Sequence, residues 1–159
     1  MSETASGEGG CLCGAVRFRV IGDPLITMAC HCRGCQRLTA SAYSVSAFYP
    51  ADRFEVLVGT PVAGALRGPQ RHLYCPSCMS WMFTRPEGMD DFVNVRSTLL
   101  DAPVFDTPFI ETVTAEALPW ARINAVHAFE GFPPRERFPG LIGEFLMNRG
   151  AGTSAGARA

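Results

Sequence analysis

Apolar and polar residues alternate in short runs along most of this chain. Val16, Phe18 and Val20 alternate with Arg17 and Arg19 over residues 15–21, the two-residue period of a strand buried on one face. The same period recurs over 43–49 and 54–58, and shorter strand candidates follow at 71–74, 81–84, 92–96, 110–114 and 122–129. Gly22-Asp23-Pro24, Gly59-Thr60-Pro61, Gly68-Pro69, Pro86-Glu87-Gly88 and Pro133-Pro134 separate these runs as turns. The pattern predicts a mainly β chain of short strands. One short C-terminal helix is expected over 141–147, where Leu141, Ile142, Phe145 and Leu146 share a face. A helical turn is expected after Cys35. Residues 1–9 and 150–159 are rich in Gly, Ala and Ser and read as flexible tails around one domain over 10–149.

Composition narrows the function classes. Hydrophobic residues make up 47% of the 159 positions and charged residues 18%, which excludes a disordered chain. The net charge is −1 and every basic residue is Arg, so no general electrostatic grip on nucleic acid is expected. The longest uncharged stretch, 38–51, is too short and too polar to span a bilayer. No apolar run at the N-terminus marks a secretory signal, so a cytoplasmic location is expected, where thiols stay reduced.

Seven cysteines, at 11, 13, 30, 32, 35, 75 and 78, fall in three tight windows. An odd number fits a complete disulfide framework poorly. Cys11 and Cys13 form C-x-C, which on extended backbone turns both sulfurs to one side. Cys75-Pro76-Ser77-Cys78 has the C-x-x-C spacing of a zinc knuckle. Together the four can close a tetrahedral, structural zinc site. Buried reduced thiols or two disulfides are the alternatives. Cys30, Cys32 and Cys35 remain, with no obvious fourth ligand. Three protein ligands and an exchangeable position are the arithmetic of a catalytic zinc. A redox C-x-x-C at Cys32 and Cys35, an iron–sulfur site completed elsewhere and a second structural zinc compete with that reading. His31 lies between two ligands and is expected to point away from the metal. Arg33 and Arg37 flank the thiols and are candidates to offset their charge or grip a substrate carboxylate. Trp81, Met82 and Phe83 are expected to pack beneath the knuckle, and Trp120 to lie in the core.

The segments 10–18, 30–37 and 74–78, with their ordered cysteine motifs, resemble the glutathione-dependent formaldehyde-activating enzyme family, which also includes members such as centromere protein V. The resemblance spans roughly residues 9–134. It implies a zinc-bound, Mss4-like β-sandwich. It also implies two zinc ions per chain: a structural one on Cys11, Cys13, Cys75 and Cys78, and an exchangeable, catalytic one on Cys30, Cys32 and Cys35. The implied activity is that of a carbon–sulfur lyase, reversibly adding glutathione or a similar thiol to formaldehyde or another small aldehyde. Non-catalytic zinc modules that bind protein or nucleic acid are the competing class. No membrane partner is expected, and a homodimer is compatible with a small β domain. Two departures stand out: Met79 follows the last cysteine where the family usually has Gly, and Ala40 replaces a Gly commonly found after the second motif. Glu111-Thr112 stands near the point where relatives often carry His-Ile.

Overall fold

The structure is a computed structural model and describes residues 6–65, 68–102 and 107–152, with side chains as far as 149. Strand β2 (Arg17–Ile21) buries Phe18 and Val20 and leaves Arg17 and Arg19 half-exposed, as its alternation predicts. It sits between β1 (Ser6–Gly10) and β5 (Phe54–Val58) in a three-stranded antiparallel sheet. The outer arginines are matched by acids: Arg19 reaches Glu55 at 2.8 Å and Glu8 at 3.0 Å, and Arg17 pairs with Asp101.

The second sheet has eight strands. These are β3 (Ile26–Cys30), β4 (Ser44–Pro50), β6 (Val62–Gly64), β7 (Gln70–Tyr74), β8 (Trp81–Pro86), β9 (Phe92–Val95), β10 (Ile110–Thr112) and β11 (His127–Ala128). Their order is β11-β10-β3-β4-β9-β8-β7-β6, antiparallel except where β10 runs parallel to β3 and β11. One face of this sheet presents Ala47, Tyr49, Phe83, Val93 and Val95 to Phe18, Val20 and Phe54 of the smaller sheet. The other face carries a second apolar cluster, where Ile26, Met28, Phe48 and Ile110 pack under Leu141 and Phe145 of helix α2 (Phe138–Gly152). The chain is thus mainly β, with a C-terminal helix.

Several elements depart from the sequence expectation. Residues 6–9 form most of a strand instead of a tail. Gly9 lets that strand press against the chain, since a Cβ there would lie 2.5 Å from the Leu99 carbonyl oxygen. The first five residues, and 153–159 of the expected C-terminal tail, lie outside the described residues, and α2 continues to Gly152. Within α2, Leu141 and Phe145 are buried as expected, but Leu146 is exposed. Of the run 122–129 only His127–Ala128 is strand, because Asn124 takes a left-handed φ of 54°. Val113, at φ 55°, ends β10 in the same way.

Candidate metal centre

The cysteines gather into two groups. The sulfurs of Cys11, Cys13, Cys75 and Cys78 all lie within 4.8 Å of one another, as do those of Cys30, Cys32 and Cys35. In the quartet, Cys11 Sγ is 3.6 Å from Cys13 Sγ, which is 3.8 Å from Cys75 Sγ. A tetrahedron of thiolates at zinc–sulfur distances near 2.3 Å has edges of about 3.8 Å, so the donor set fits such an ion. Backbone amides support the sulfurs: Val16 N–H donates to Cys11 Sγ at 3.3 Å, and the amides of Ser77 and Cys78 donate to Cys75 Sγ at 3.4 and 3.5 Å. Ser80 Oγ lies 3.2 Å from Cys78 Sγ and, with the backbone amide beside it, pulls that thiol down to about 5. Met82 and Phe83 follow into the core cluster that holds Cys11 and Cys75, as expected, whereas Trp81 is buried against Arg96 and His72. The quartet therefore ties the β1–β2 turn to the β7–β8 turn, across more than sixty residues.

The trio spans the end of β3 and the start of helix α1 (Arg33–Thr39). That helix begins before Cys35, not after it. Cys32 is its N-cap, and its sulfur accepts the Cys35 N–H at 3.3 Å. Contacts from Cys30 and Cys35 pull the Cys32 thiol down to about 2, the contact with Cys32 pushes the Cys30 thiol up, and Cys30 and Cys32 together push the Cys35 thiol up. Crowded sulfurs share one negative charge poorly, whereas a divalent ion favours thiolates at every position. The donor chemistry of both clusters thus fits a thiophilic ion. Cys30 is buried, but Cys32 and Cys35 are partly open to solvent. Among the described residues no fourth His, Cys, Asp or Glu joins the trio.

His31 turns away from the sulfurs, as its position between two ligands implies. It is fully buried, and its Nε2 is 3.1 Å from Glu111 Oε1. Glu111 is buried too. It accepts Arg122 Nη2 at 3.1 Å and the Ile123 N–H at 3.0 Å. Burial pushes the Glu111 carboxyl up, but Arg122, Ile123 and His31 together hold it below the ordinary carboxylate range. Arg33 Nη1 donates to Gln36 Oε1 at 2.6 Å, and Gln36 in turn donates to the His31 carbonyl at 2.6 Å. Arg33 and Arg37 line an open groove of about 540 Å³ beside α1, together with Gln36, Leu118 and Trp120. Trp120 is 77% exposed on this groove and not in the core, because its turn carries it out past β10.

Sequence reasoning passed over Arg96, Ser44 and Tyr74. Arg96 is buried, and its guanidinium stacks 4.0 Å over the Trp81 ring. Burial lowers its pKa to about 10, while Cys35, Cys30 and Tyr74 oppose the fall, so it stays charged at neutral pH. A charged residue closing the apolar run 92–96 was the one available signal. His72 and His127 are structural, held by Thr84 Oγ1 at 2.8 Å and Glu144 Oε2 at 2.8 Å respectively.

The sequence pattern described as glutathione-dependent formaldehyde-activating enzyme matches residues 6–116. No curated protein matches the chain. A crystal structure of a Rhodobacter sphaeroides protein, solved in a structural genomics programme, aligns with a TM-score of 0.48 at 21% identity, covering 60% of this chain and 88% of that one. Three cysteine motifs gathered into a quartet and a trio, within a match over most of the sequence, make this chain a member of the glutathione-dependent formaldehyde-activating enzyme family.

Proposed function

We propose that this chain is a zinc-dependent carbon–sulfur lyase that reversibly adds glutathione, or a similar thiol, to formaldehyde or another small aldehyde. The observation that carries the reading is the contrast between the two clusters: four sulfurs complete a shell, and three, two of them partly open to solvent, do not. Cys11, Cys13, Cys75 and Cys78 would hold a structural zinc. Cys30, Cys32 and Cys35 would hold an exchangeable one. Zinc at the trio supplies one service when bound: it lowers the pKa of an incoming thiol, so that the sulfur is nucleophilic at neutral pH.

The protein's own residues do the rest. The thiol proton leaves to solvent, and the sulfur attacks the carbonyl carbon. The S–C bond forms as the C=O π bond opens onto oxygen, which then takes up a proton. The His31–Glu111–Arg122 chain holds the backbone between Cys30 and Cys32 in place. Arg33 and Arg37 border a groove wide enough for a peptide-sized thiol, where they can pair with its carboxylates. Unpaired cysteines suit the reducing cytoplasm.

Calorimetric titration of zinc-loaded protein with glutathione and S-methyl glutathione tests this reading. Coordination through sulfur predicts binding of the first and marked weakening of the second. Equal binding of both, or of neither, would contradict it and leave a non-catalytic zinc module as the better account.

A further inference from the structure

The face of the large sheet beside the trio is polar where a core would be apolar. Cys30 pairs with Ser44 across β3 and β4, and Phe48 pairs with Asn94 across β4 and β9. Alternate residues share a face, so Cys30, Ser44 and Arg96 look out on the same side. The Arg96 N–H donates to the Met82 carbonyl at 2.9 Å, which carries the ladder one residue past the end of β9. Its guanidinium lies over Trp81, and Trp81 pairs with Tyr74. Side-chain atoms buried here without a hydrogen-bond partner include three donors, Arg96 Nε, Tyr74 Oη and Ser44 Oγ, and one acceptor, Asn94 Oδ1.

A buried donor without a partner forfeits the hydrogen bonds it would make in water. Arg96 interacts with Cys35, Cys30 and Tyr74, and Ser44 with Cys35, so these donors stand beside the incomplete cluster, where an oxygen atom arriving with a ligand would satisfy them. The apolar cluster on the same face ends at Phe48, Met28 and Ile26, so this polarity is local to the sulfur end of the sheet.

We propose that Arg96, with Tyr74 and Ser44, binds the aldehyde oxygen of the substrate and stabilises the negative charge that develops there as the S–C bond forms. The assignment rests on the thiol–aldehyde reading above and deepens it. Arg96 Nε–H donates to the oxygen throughout, and Trp81 keeps the guanidinium planar and fixed. The oxygen takes its final proton from solvent, so no group of the protein changes its net charge. A preorganised donor of this kind acts most strongly on the transition state.

The test compares two small thiols on zinc-loaded protein by calorimetry. Ethanethiol offers sulfur alone. Mercaptoacetate also offers anionic oxygen close to where the adduct oxygen would sit. Wild-type protein is expected to bind mercaptoacetate about tenfold more tightly than ethanethiol. Arg96→Met should erase that preference, with zinc content retained. Tyr74→Phe and Ser44→Ala should each reduce the preference about threefold, and they decide the matter if Arg96→Met does not fold. An undiminished preference in the folded variants overturns the assignment of Arg96 while leaving thiol coordination standing. Failure of ethanethiol to bind wild-type protein overturns both.

Discussion

His31 Nε2 lies 3.1 Å from Glu111 Oε1, and neither side chain reaches solvent. The contact joins the residue between Cys30 and Cys32 to the middle of β10, so the trio's backbone is anchored from behind. Arg122 is half-exposed, so replacing Glu111 strands no buried charge, and the loss is that of hydrogen bonds to a charged group, about 1.5–3 kcal/mol. Glu111→Gln keeps the shape, but it loses the charge that Arg122 and the Ile123 N–H address. Its unfolding free energy should fall by about 2 kcal/mol, and zinc at the trio should be lost more readily than zinc at the quartet. Denaturant unfolding and timed zinc release check both.

The same carboxylate has a signature in pH. Its pKa is lower in the folded chain than in the unfolded one, where Glu titrates near about 4.3. Its stabilisation is therefore complete above that value and is lost as pH falls through the folded pKa. The stability gap between wild type and Glu111→Gln should be constant from pH 5 to 8 and narrow in more acid solution. Denaturant curves under saturating zinc, taken at each pH, give the gap directly. A gap that widens on acidification would contradict the assignment.

Cys75 and Cys32 should fail differently. Cys75 is buried beneath the quartet, whose closure gathers two distant turns. Structural zinc sites carry folding free energy of about 10 kcal/mol in small peptides, so Cys75→Ser should abolish cooperative unfolding. Cys32 is half-open and caps α1, a position where Ser serves equally well. Cys32→Ser should keep its far-ultraviolet circular dichroism and its melting profile, and lose only thiol binding.

Two residues sit where glycine would be easier. Met79 has φ 59° and Ala40 has φ 49°, both in the left-handed region that favours glycine. Side chains there cost about 1–2 kcal/mol, partly offset by the greater chain entropy of glycine. Met79→Gly and Ala40→Gly should each stabilise the protein by about 1 kcal/mol, measurable by denaturant titration.

Much of the site is legible in the sequence because cysteine spacing is short-range. C-x-C and C-x-x-C constrain their sulfurs locally, and the grouping into quartet and trio follows. Strand β2 is legible because one face is buried and the other wet, while β5 keeps the same period although Val56 and Val58 stay exposed. β1 is not, since Ser6–Gly10 has no apolar side chain and is held by backbone pairing with β2, the Gly9–Leu100 bridge and the Glu8–Arg19 ion pair. β3 is hidden for the opposite reason: all five of its residues are buried, so no alternation marks it. Arg96 and Glu111 are long-range features. Each is a charge inside an apolar run, and only the packed sheets show what it faces.

The groove beside α1 predicts how glutathione differs from smaller thiols. Arg37→Ala should weaken glutathione binding about tenfold, the value of a hydrogen bond to a charged group, while binding ethanethiol as wild type does. Calorimetry with both thiols separates the two effects. Equal loss for both would place Arg37 in the support of the trio and not in the groove.

The central claim is that one cluster is complete and the other accepts a thiol from outside. Cobalt(II) loaded into the exchangeable site reports the number of thiolates directly, through its charge-transfer and ligand-field bands. The account predicts a three-thiolate spectrum that gains a fourth thiolate on adding glutathione and does not respond to S-methyl glutathione. A four-thiolate spectrum from the outset, unmoved by glutathione, would contradict it.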